Sequence, residues 1–298
     1  MALELLAPAK LNLTLEVLGR RDDGYHEIAS IMQTIDLADR VRVEAAPGLE
    51  LTLTGPRQLG VPVEGPRNLA YRAAQALLAE TGRSELGARI ELEKRIPAGM
   101  GLGGGSTDAA AVLRGLNRLW GLDLGDAALG RVAASVGSDV AFFLHGGTAL
   151  VTGRGETVEP LRDIEPMALT LFVSDAELED KTRRMYAALT ASDHSDGRRT
   201  RVAAEMIRRG QRLAETDLVN AFDRHVGEVD PPLASAMALC RDAGLAVLAA
   251  GSGPGFFAPV DRVELSELLL ARLEREWGVT ALACRSLTRP ESLAAREV

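Results

Sequence analysis

The sequence is poor in the residues that mark several classes of protein. Its 298 residues include only two cysteines, Cys240 and Cys284, which stand far apart and without metal-ligand spacing. We expect two reduced thiols, since a disulfide framework or a zinc site needs more cysteines at closer spacing. The 34 Lys and Arg residues are outnumbered by 42 Asp and Glu residues, which gives a formal net charge of -8. A nucleic-acid or membrane-surface protein would need the opposite balance.

Long apolar segments are also missing. No run approaches the roughly 20 residues that a membrane-spanning helix requires. The opening "MALELLAPAK" has no basic stretch followed by an apolar one, so no signal peptide is expected. We therefore expect a cytoplasmic protein, a monomer or weak homodimer, with no nucleic-acid or membrane partner.

What the sequence does contain is a normal globular balance, with 46% apolar and 26% charged residues, and enough length for two domains. Apolar and polar residues alternate over residues 10–17, which predicts a half-buried strand with Lys10 and Asn12 on one face.

The polar segment 190–201 predicts a mobile loop. Further strands are predicted at 41–44, 49–54, 88–96, 168–173, 246–250 and 280–284, and helices at 67–82, from the glycines to 121, and at 126–137. This is an α+β pattern.

A composition change around residues 153–166 predicts a domain junction. We therefore divide the chain into an N-terminal domain, residues 1–160, and a C-terminal domain, residues 161–298. The last strand could return to the first domain.

Five glycines lie between positions 99 and 105 in "KRIPAGMGLGGGSTDAA", between a predicted strand and a predicted helix. Each glycine costs backbone entropy, so the cluster indicates that the backbone itself approaches something closely. A Walker A loop is excluded because no lysine precedes Ser106. A dinucleotide fingerprint is disfavoured because the preceding strand carries alternating charges, whereas a doubly wound sheet buries that strand on both faces. A phosphate cradle of backbone N–H groups at a helix N-terminus fits best, with a tight packing turn as the alternative.

"PAGMGLGGGSTDAA" resembles the phosphate-binding motif of the GHMP kinases. "PAKLNLTLEVLGRRDDGYHEI" resembles the N-terminal motif of the branch that phosphorylates 4-diphosphocytidyl-2-C-methyl-D-erythritol, and "VGSDVAFFLHG" and "AAGSGPGFFA" extend the similarity over most of the chain. The resemblance implies a two-domain α+β GHMP kinase fold with the active site in the cleft between the domains. It also implies ATP with Mg²⁺ as phosphate donor and a small acceptor that carries cytidine diphosphate.

The resemblance assigns two catalytic residues, Lys10 and Asp139. Asp139 precedes a strongly apolar run, where a carboxylate is costly unless it is paired or used. We expect it to act as general base with the Lys10 ammonium beside it. The alternatives are a helix-end aspartate bonded to local amides and a solvated lysine at a strand end.

The ATP-binding positions of the family can be assigned to this sequence residue by residue. The resemblance implies that ATP is bound by Asn68, Pro97, Gly99, Gly101, Leu102, Gly103, Gly104, Gly105, Ser106 and Thr107. Thr107 stands where serine is common and keeps the hydroxyl. Asn68 could equally be only a helix N-cap.

On the acceptor side, the family uses the positions of Tyr25 and His26 to stack on and hydrogen-bond a cytosine. Asn12, Thr182 and Tyr186 also match substrate positions, although Tyr186 could be ordinary core. We expect the other histidines, at positions 145, 194 and 225, to be structural or on the surface. The glycines of "AGSGPGFFA" could form a hairpin turn, pack against the phosphate cradle, or both.

Two rival functions stay open. One is a GHMP-type kinase for another alcohol, such as mevalonate or a sugar, against which Tyr25 and His26 argue. The other is a non-catalytic nucleotide-binding protein on the same fold, against which the presence of both Lys10 and Asp139 argues.

Overall fold

The computed structural model describes residues 2–56, 65–174, 181–253 and 255–298. The strands are β1 (Ala2–Arg20), β2 (His26–Ala45), β3 (Leu49–Thr54), β4 (Ala88–Glu93), β5 (Thr148–Gly153), β6 (Thr157–Pro160), β7 (Ala168–Ser174), β8 (Val219–Asn220), β9 (Leu248–Ala249), β10 (Phe256–Ala258), β11 (Val279–Arg285) and β12 (Ala295–Glu297). The helices are α1 (Leu69–Thr81), α2 (Gly104–Leu119), α3 (Asp126–Val136), α4 (Val140–His145), α5 (Lys181–Ala188), α6 (Arg198–Arg208), α7 (Val226–Val229), α8 (Pro231–Asp242), α9 (Glu267–Trp277) and α10 (Arg289–Ser292). This mixture of helices and sheets confirms the α+β class.

Two sheets form the frame of the molecule. The larger one has the order β12-β1-β2-β4-β3, with β8 beside β1 and the β5–β6 pair beside β2. The smaller one has the order β11-β7-β10-β9 and is antiparallel throughout. Although β12 ends the chain, it pairs with β1 near the beginning, with Leu3 opposite Glu297.

Helices α1 and α2 lie against one face of the larger sheet, α3 packs on these two helices, and all three share an apolar core with the sheet. Asn68 caps α1, because its Oδ1 accepts a hydrogen bond of 2.9 Å from the amide of Ala70. Gly82 ends the helix in the left-handed conformation that glycine tolerates. The helix predicted at 67–82 is thereby confirmed to within two residues.

The prediction that β1 is half-buried is wrong, because both of its faces are covered. On the face predicted to be polar, Lys10, Asn12, Thr14 and Glu16 are all at most 5% exposed. The Glu16 carboxylate receives a hydrogen bond of 2.8 Å from the Ser195 hydroxyl and one of 2.7 Å from the Thr200 amide. Partners from elsewhere in the chain thus make these buried polar groups tolerable.

The same contacts overturn the prediction of a mobile loop at 190–201. Residues Ala191–Asp193 form a 3-10 turn, His194 bridges to Val17 of β1, and α6 begins at Arg198. Ser195 and Thr200 face the polar side of the buried strand β1, while most of the other polar residues of the segment are exposed. Sequence composition could not distinguish this arrangement from a solvated loop.

The predicted strand 246–250 is shorter than expected. Only Leu248 and Ala249 pair with β10, and the chain then enters a glycine-rich turn. The two cysteines are free and buried. Among the helices that the structure describes, none has the length and apolar character needed to cross a membrane.

Candidate active site

The first glycine loop (residues 97–103) connects β4 to α2. Gly101 and Gly103 both have φ of +74°, a conformation that side chains with a Cβ rarely adopt. Space is also limiting, because a Cβ at Gly103 would lie 2.6 Å from Cζ of Phe143. Both the backbone conformation and the neighbouring Phe143 ring therefore require glycine at the entry to α2.

The second glycine loop (residues 250–253) joins β9 to β10 and packs directly on the first. A Cβ at Gly101 would lie 2.7 Å from the amide nitrogen of Gly253, and a Cβ at Gly251 would lie 2.8 Å from Nζ of Lys10. This contact confirms both alternatives considered for the segment: it is a hairpin turn, and it packs against the first glycine loop.

Strand β1 holds both loops. The amide of Lys10 donates to the carbonyl of Leu102 at 3.0 Å, and the amide of Asn12 donates to the carbonyl of Ala250, also at 3.0 Å. Two residues of one strand thus fix the relative position of the two loops.

Lys10 is buried, so the interpretation as a solvated strand-end lysine is wrong. Its Nζ donates to Oδ1 of Asn12 at 2.5 Å, and Nδ2 of Asn12 donates to the Ser30 hydroxyl at 2.6 Å. Burial lowers the pKa of Lys10 from the ordinary 10.5, and the carboxylate of Asp139 partly opposes that shift. The ammonium is therefore oriented and close enough to Asp139 to interact with it.

Asp139 stands at the N-cap position of α4, half-buried, but its side chain makes no capping hydrogen bond. Within the described ranges, no donor is bonded to its carboxylate. Gly155 is the near neighbour, since a Cβ placed there would lie 3.4 Å from Oδ1 of Asp139. The alternative of an aspartate bonded to local amides does not fit, and the carboxylate can accept a bond from a ligand.

The remaining donor-side residues differ in their exposure. Gly99 and Gly105 are exposed and Ser106 is half-buried, whereas Pro97, Leu102 and Thr107 are buried. Because its side chain is buried, Leu102 could contact a nucleotide only through its backbone. Asn68 lies beside this region, since its neighbour Leu69 would be 3.4 Å from a Cβ at Gly105.

Sequence reasoning missed a buried charge cluster beneath the first glycine loop. The Lys94 ammonium bonds to the carboxylates of both Asp39 and Asp108, and all three side chains are at most 2% exposed. Asp39 also accepts the amides of Arg95 and Ile96 where the loop begins, and Asp108 belongs to the first turns of α2. Lys94 thus connects the entry of the loop to the helix that follows it.

The cluster also shifts two pKa values. Burial disfavours the Lys94 ammonium, but the two carboxylates outweigh that effect and raise its pKa. Burial raises the pKa of Asp108 to about 7, against the attraction of Lys94. In the sequence, the cluster is indicated by nothing more than a lysine at the end of a strand with alternating charges.

A cavity of about 910 Å³ opens from Lys10, Asp139 and the first glycine loop toward a wall of aromatic and polar side chains. Its lining includes Arg20, Tyr25, His26, Ser138, Arg154, Thr182, Arg183, Tyr186, Thr190, Ala191, His194 and Ser252. The structure therefore brings Lys10, Asp139, Tyr25, His26, Thr182 and Tyr186 to one cavity. Asn12 lies behind it, bonded to Lys10.

The far wall of the cavity is an aromatic row. The rings of His26 and Tyr186 stack with centroids 5.1 Å apart, and His194 meets His26 edge-on at 6.4 Å. Tyr186 contacts Phe222 of the core at 4.9 Å, so it is both core and cavity lining. His194, which the sequence predicts to be structural or on the surface, therefore also lines the cavity. Burial, with smaller effects from His194 and Arg20, lowers the pKa of His26, which favours its neutral form.

Tyr25 is 54% exposed, and the Arg154 guanidinium lies 4.7 Å from the centroid of its ring. Arg154 is itself only loosely paired, at 4.0 Å from Glu156. It precedes Gly155, the neighbour of Asp139, so Arg154 stands between Tyr25 and the catalytic candidates. The sequence placed Arg154 in a presumed domain junction and gave no reason to select it.

Comparison with known proteins identifies relatives of this arrangement. A model of the GHMP kinases N terminal domain matches residues 68–147, which include the first glycine loop and Asp139. A 4-diphosphocytidyl-2-C-methyl-D-erythritol kinase of Synechococcus sp. (strain CC9605) is 39% identical over 295 residues, covering 93% of this chain and 95% of that protein. A kinase of the same name from Synechococcus sp. (strain JA-3-3Ab) is 51% identical over 191 residues, which cover 64% of this chain and 60% of that protein.

A solved structure gives the same result. The crystal structure of a 4-(cytidine 5'-diphospho)-2C-methyl-D-erythritol kinase matches with a TM-score of 0.75 and 35% identity, over 95% of this chain and 98% of that one. The similarity therefore extends over both sheets and both glycine loops.

Proposed function

The chain belongs to the family of 4-diphosphocytidyl-2-C-methyl-D-erythritol kinases, within the GHMP kinases, and we propose that it phosphorylates that substrate with ATP. The acceptor is the C2 hydroxyl, and the product serves isoprenoid precursor synthesis by the non-mevalonate route. The enzyme works in the cytoplasm as a monomer or weak homodimer. Its two domains divide near residue 160, with the active site in the cleft between them.

The observation that carries the proposal is the extent of the cavity. One end has the first glycine loop with Lys10 and Asp139, and the other has Tyr25 and His26. An acceptor made of a cytidine, a diphosphate and a short polyol is long enough to need both ends. A small alcohol such as mevalonate would leave the aromatic end unused.

ATP lies along the first glycine loop, with its phosphates at the N-terminus of α2. The backbone N–H groups and the positive end of the helix dipole stabilise the negative charge there. The Ser106 hydroxyl is placed to add a hydrogen bond, while the adenine lies toward Asn68. The Lys94 cluster preserves the shape of the loop.

Mg²⁺ accompanies the triphosphate and offsets its charge. In the part of the chain that the structure describes, no group of three His, Cys, Asp or Glu side chains is placed to hold a metal alone. This fits an ion that keeps most of its ligands from phosphate and water. The Ser106 hydroxyl, at the start of α2, is a protein oxygen that could complete its coordination.

Asp139 accepts the proton of the acceptor hydroxyl as that oxygen attacks the terminal phosphorus of ATP, and the bond from this phosphorus to the bridging oxygen breaks to release ADP. Its carboxylate is available because no described donor occupies it. Lys10, fixed by Asn12, stabilises the negative charge that develops on the transferred phosphoryl group. Because burial lowers the pKa of Lys10, the alkaline limb of the rate profile should begin below pH 10.5.

The cytidine lies against Tyr25 and His26, with Tyr186 behind His26 and Thr182 at the rim. A base stacked on an aromatic ring contributes about 1–3 kcal/mol. The diphosphate then passes between Tyr25 and Asp139, where Arg154 offers a planar guanidinium suited to phosphate oxygens.

The test is ADP release by the purified protein with ATP and Mg²⁺, using the cytidyl substrate beside mevalonate, homoserine and galactose. Turnover with the cytidyl compound alone is expected. Turnover with another alcohol instead would keep the kinase and remove the roles of Tyr25 and His26. ATP binding without any turnover would favour the non-catalytic alternative.

A further inference from the structure

A buried histidine lies between two carboxylates behind the far wall of the cavity. This wall, formed by Tyr25, His26, Tyr186 and the turn 190–194, is called the acceptor wall below. Nδ1 of His225 is 2.8 Å from Oε1 of Glu228, and Nε2 is 3.1 Å from Oδ1 of Asp193. The side chains of His225 and Asp193 are only 8% and 2% exposed. None of the catalytic or substrate-binding roles described above uses this group.

Asp193 is the residue that closes the 3-10 turn of the wall. Its Oδ2 accepts hydrogen bonds of 2.8 Å from both the amide and the hydroxyl of Thr190. The next residue, His194, bridges to Val17 and presents its ring to His26. Thr190, Ala191 and His194 all line the cavity. A contact that holds Asp193 in place therefore also holds Thr190, Ala191 and His194 in the acceptor wall.

His225 also adjoins the other side of the aromatic row. Its amide donates to the carbonyl of Phe222 at 2.8 Å, and the Phe222 ring supports Tyr186. His225 thus contacts the turn that carries His194 through its imidazole and the core residue beneath Tyr186 through its backbone amide. Between these two lies His26, which stacks on Tyr186.

The protonation state of His225 decides how many of these contacts it makes. An imidazolium donates from both ring nitrogens, whereas a neutral ring donates from one and presents a lone pair to the other carboxylate. Asp193 and Glu228 are the charged groups that face the ring, and Arg224 reaches Asp193 from the exposed side at 3.2 Å. Although burial opposes the charge, the hydrogen bond to Glu228 and the attraction of the Asp193 carboxylate raise the pKa of His225.

We propose that His225 is a positioning residue for the acceptor: its imidazolium holds the turn 190–194 and thereby sets the affinity of the cleft for the cytidine end of the substrate. This inference rests on the proposed function, because it assigns the cytidine to the wall that the turn completes. ATP lies on the opposite side of the cleft and should not respond to His225.

The pH dependence follows from the direction of the shift. When the pKa of a group is raised in the folded protein, its contribution to folding stability is complete below the ordinary pKa. That contribution is lost as the pH rises through the raised pKa. The imidazolium contacts that hold the turn are lost over the same range, so acceptor affinity should weaken as the pH rises from about 6.5 through the raised pKa of His225, whereas His26, whose pKa is lowered, gives up its proton at a lower pH.

The experiment measures binding of cytidine 5'-diphosphate to the full chain by calorimetry from about pH 6.5 to about pH 9, for wild type and His225→Gln. His145→Gln, at the end of α4 and outside the cavity, is the matched control. Because the probe's own phosphate titrates equally with all three proteins, the ratio of affinities isolates the histidine. We expect His225→Gln to bind about 5- to 10-fold more weakly at the acid end and to lose the difference toward the alkaline end.

Steady-state kinetics give the second readout. His225→Gln should raise KM for the cytidyl acceptor by a similar factor and leave KM for ATP unchanged. A purely structural role would instead lower Tm and impair both substrates at every pH. Unchanged acceptor KM and unchanged pH dependence in a folded His225→Gln would overturn the inference.

Asp193→Asn provides a variant that keeps the histidine and removes its buried partner. It should reproduce the weaker binding of cytidine 5'-diphosphate. If wild type turns over a different alcohol while cytidine diphosphate affinity still depends on His225, the proposed function fails and the positioning role stands. If the cytidyl compound is the substrate and His225→Gln behaves like wild type, only the positioning role fails.

Discussion

The two glycine loops, which we propose as the donor wall of the cavity, are made of backbone, whereas the proposed acceptor wall is made of side chains. On the donor side, Gly101 and Gly103 leave no room for a Cβ, and a second glycine loop packs directly on the first. On the acceptor side, Tyr25 is half-exposed, and His26, Tyr186 and His194 contact one another by ring faces and edges. A triphosphate is common to all ATP-dependent kinases, so a rigid backbone suits it. The acceptor is particular to this enzyme, and recognition by separate side chains suits that task.

The two walls are also stabilised differently. The donor wall rests on a fully buried lysine with two carboxylates, which cannot rearrange without leaving a charge unpaired. The acceptor wall rests on His225, whose charge depends on pH. We therefore expect perturbations of the donor wall to cost stability and perturbations of the acceptor wall to cost affinity.

The largest expected effect lies where the walls meet. Asp139→Asn should lower turnover by about 10²- to 10⁴-fold, the usual contribution of a general base. Binding of ATP and of the acceptor, measured by calorimetry, should be preserved. Asp126→Asn, an exposed aspartate at the start of α3, is the control. Near-normal turnover in Asp139→Asn would remove the assignment of the base.

On the donor wall, Lys94→Met should destabilise the protein by about 3–5 kcal/mol, because it leaves two carboxylates buried without their cation. Chemical denaturation measures the loss, and Arg95→Met is the exposed neighbour for comparison. The affinity for ATP should fall along with stability. A Lys94→Met protein as stable as wild type would show that the cluster does not hold the loop.

On the acceptor wall, Tyr25→Ala should weaken binding of cytidine 5'-diphosphate by about 1–3 kcal/mol, the value of one base stacked on an aromatic ring. Since Tyr25 is exposed, Tm should not change. The ATP affinity of the same variant is the internal control. An equal loss for both nucleotides would contradict the separation of the two walls.

The smallest effect is expected from Arg154→Leu, at about 1 kcal/mol, since the guanidinium is partly exposed and its contact with Tyr25 is a surface cation–π pair. The loss should appear with cytidine 5'-diphosphate and vanish with cytidine, which carries no phosphate. Arg131→Leu, on the exposed side of α3, serves as the matched control. Equal losses for the two ligands would limit Arg154 to support of the Tyr25 ring.

The difference between the walls also explains what could be predicted from the sequence. A glycine loop is a local feature, so the cluster before Ser106 predicted both the start of α2 and close contact with backbone. Asn68 was likewise recognisable as a helix cap. The family resemblance supplied Tyr25 and His26, which lie next to each other in one motif.

Contacts between distant segments could not be predicted. The link from Glu16 to Ser195 and Thr200 turned a supposed mobile loop into part of the acceptor wall, and nothing in either segment alone indicates the other. The same holds for Lys94 with Asp39 and Asp108, whose pairing depends on the sheet order. The sequence alone does not distinguish charged residues that are buried in pairs from charged residues on the surface.

The central claim is that adenine and cytidine nucleotides occupy opposite walls of one cleft and meet at Lys10 and Asp139. Inhibition of the reaction by cytidine 5'-diphosphate tests it most directly, with each substrate varied in turn. The account predicts inhibition that is competitive against the cytidyl acceptor, not competitive against ATP, and weaker in Tyr25→Ala. Competition with ATP that is indifferent to Tyr25 would contradict it.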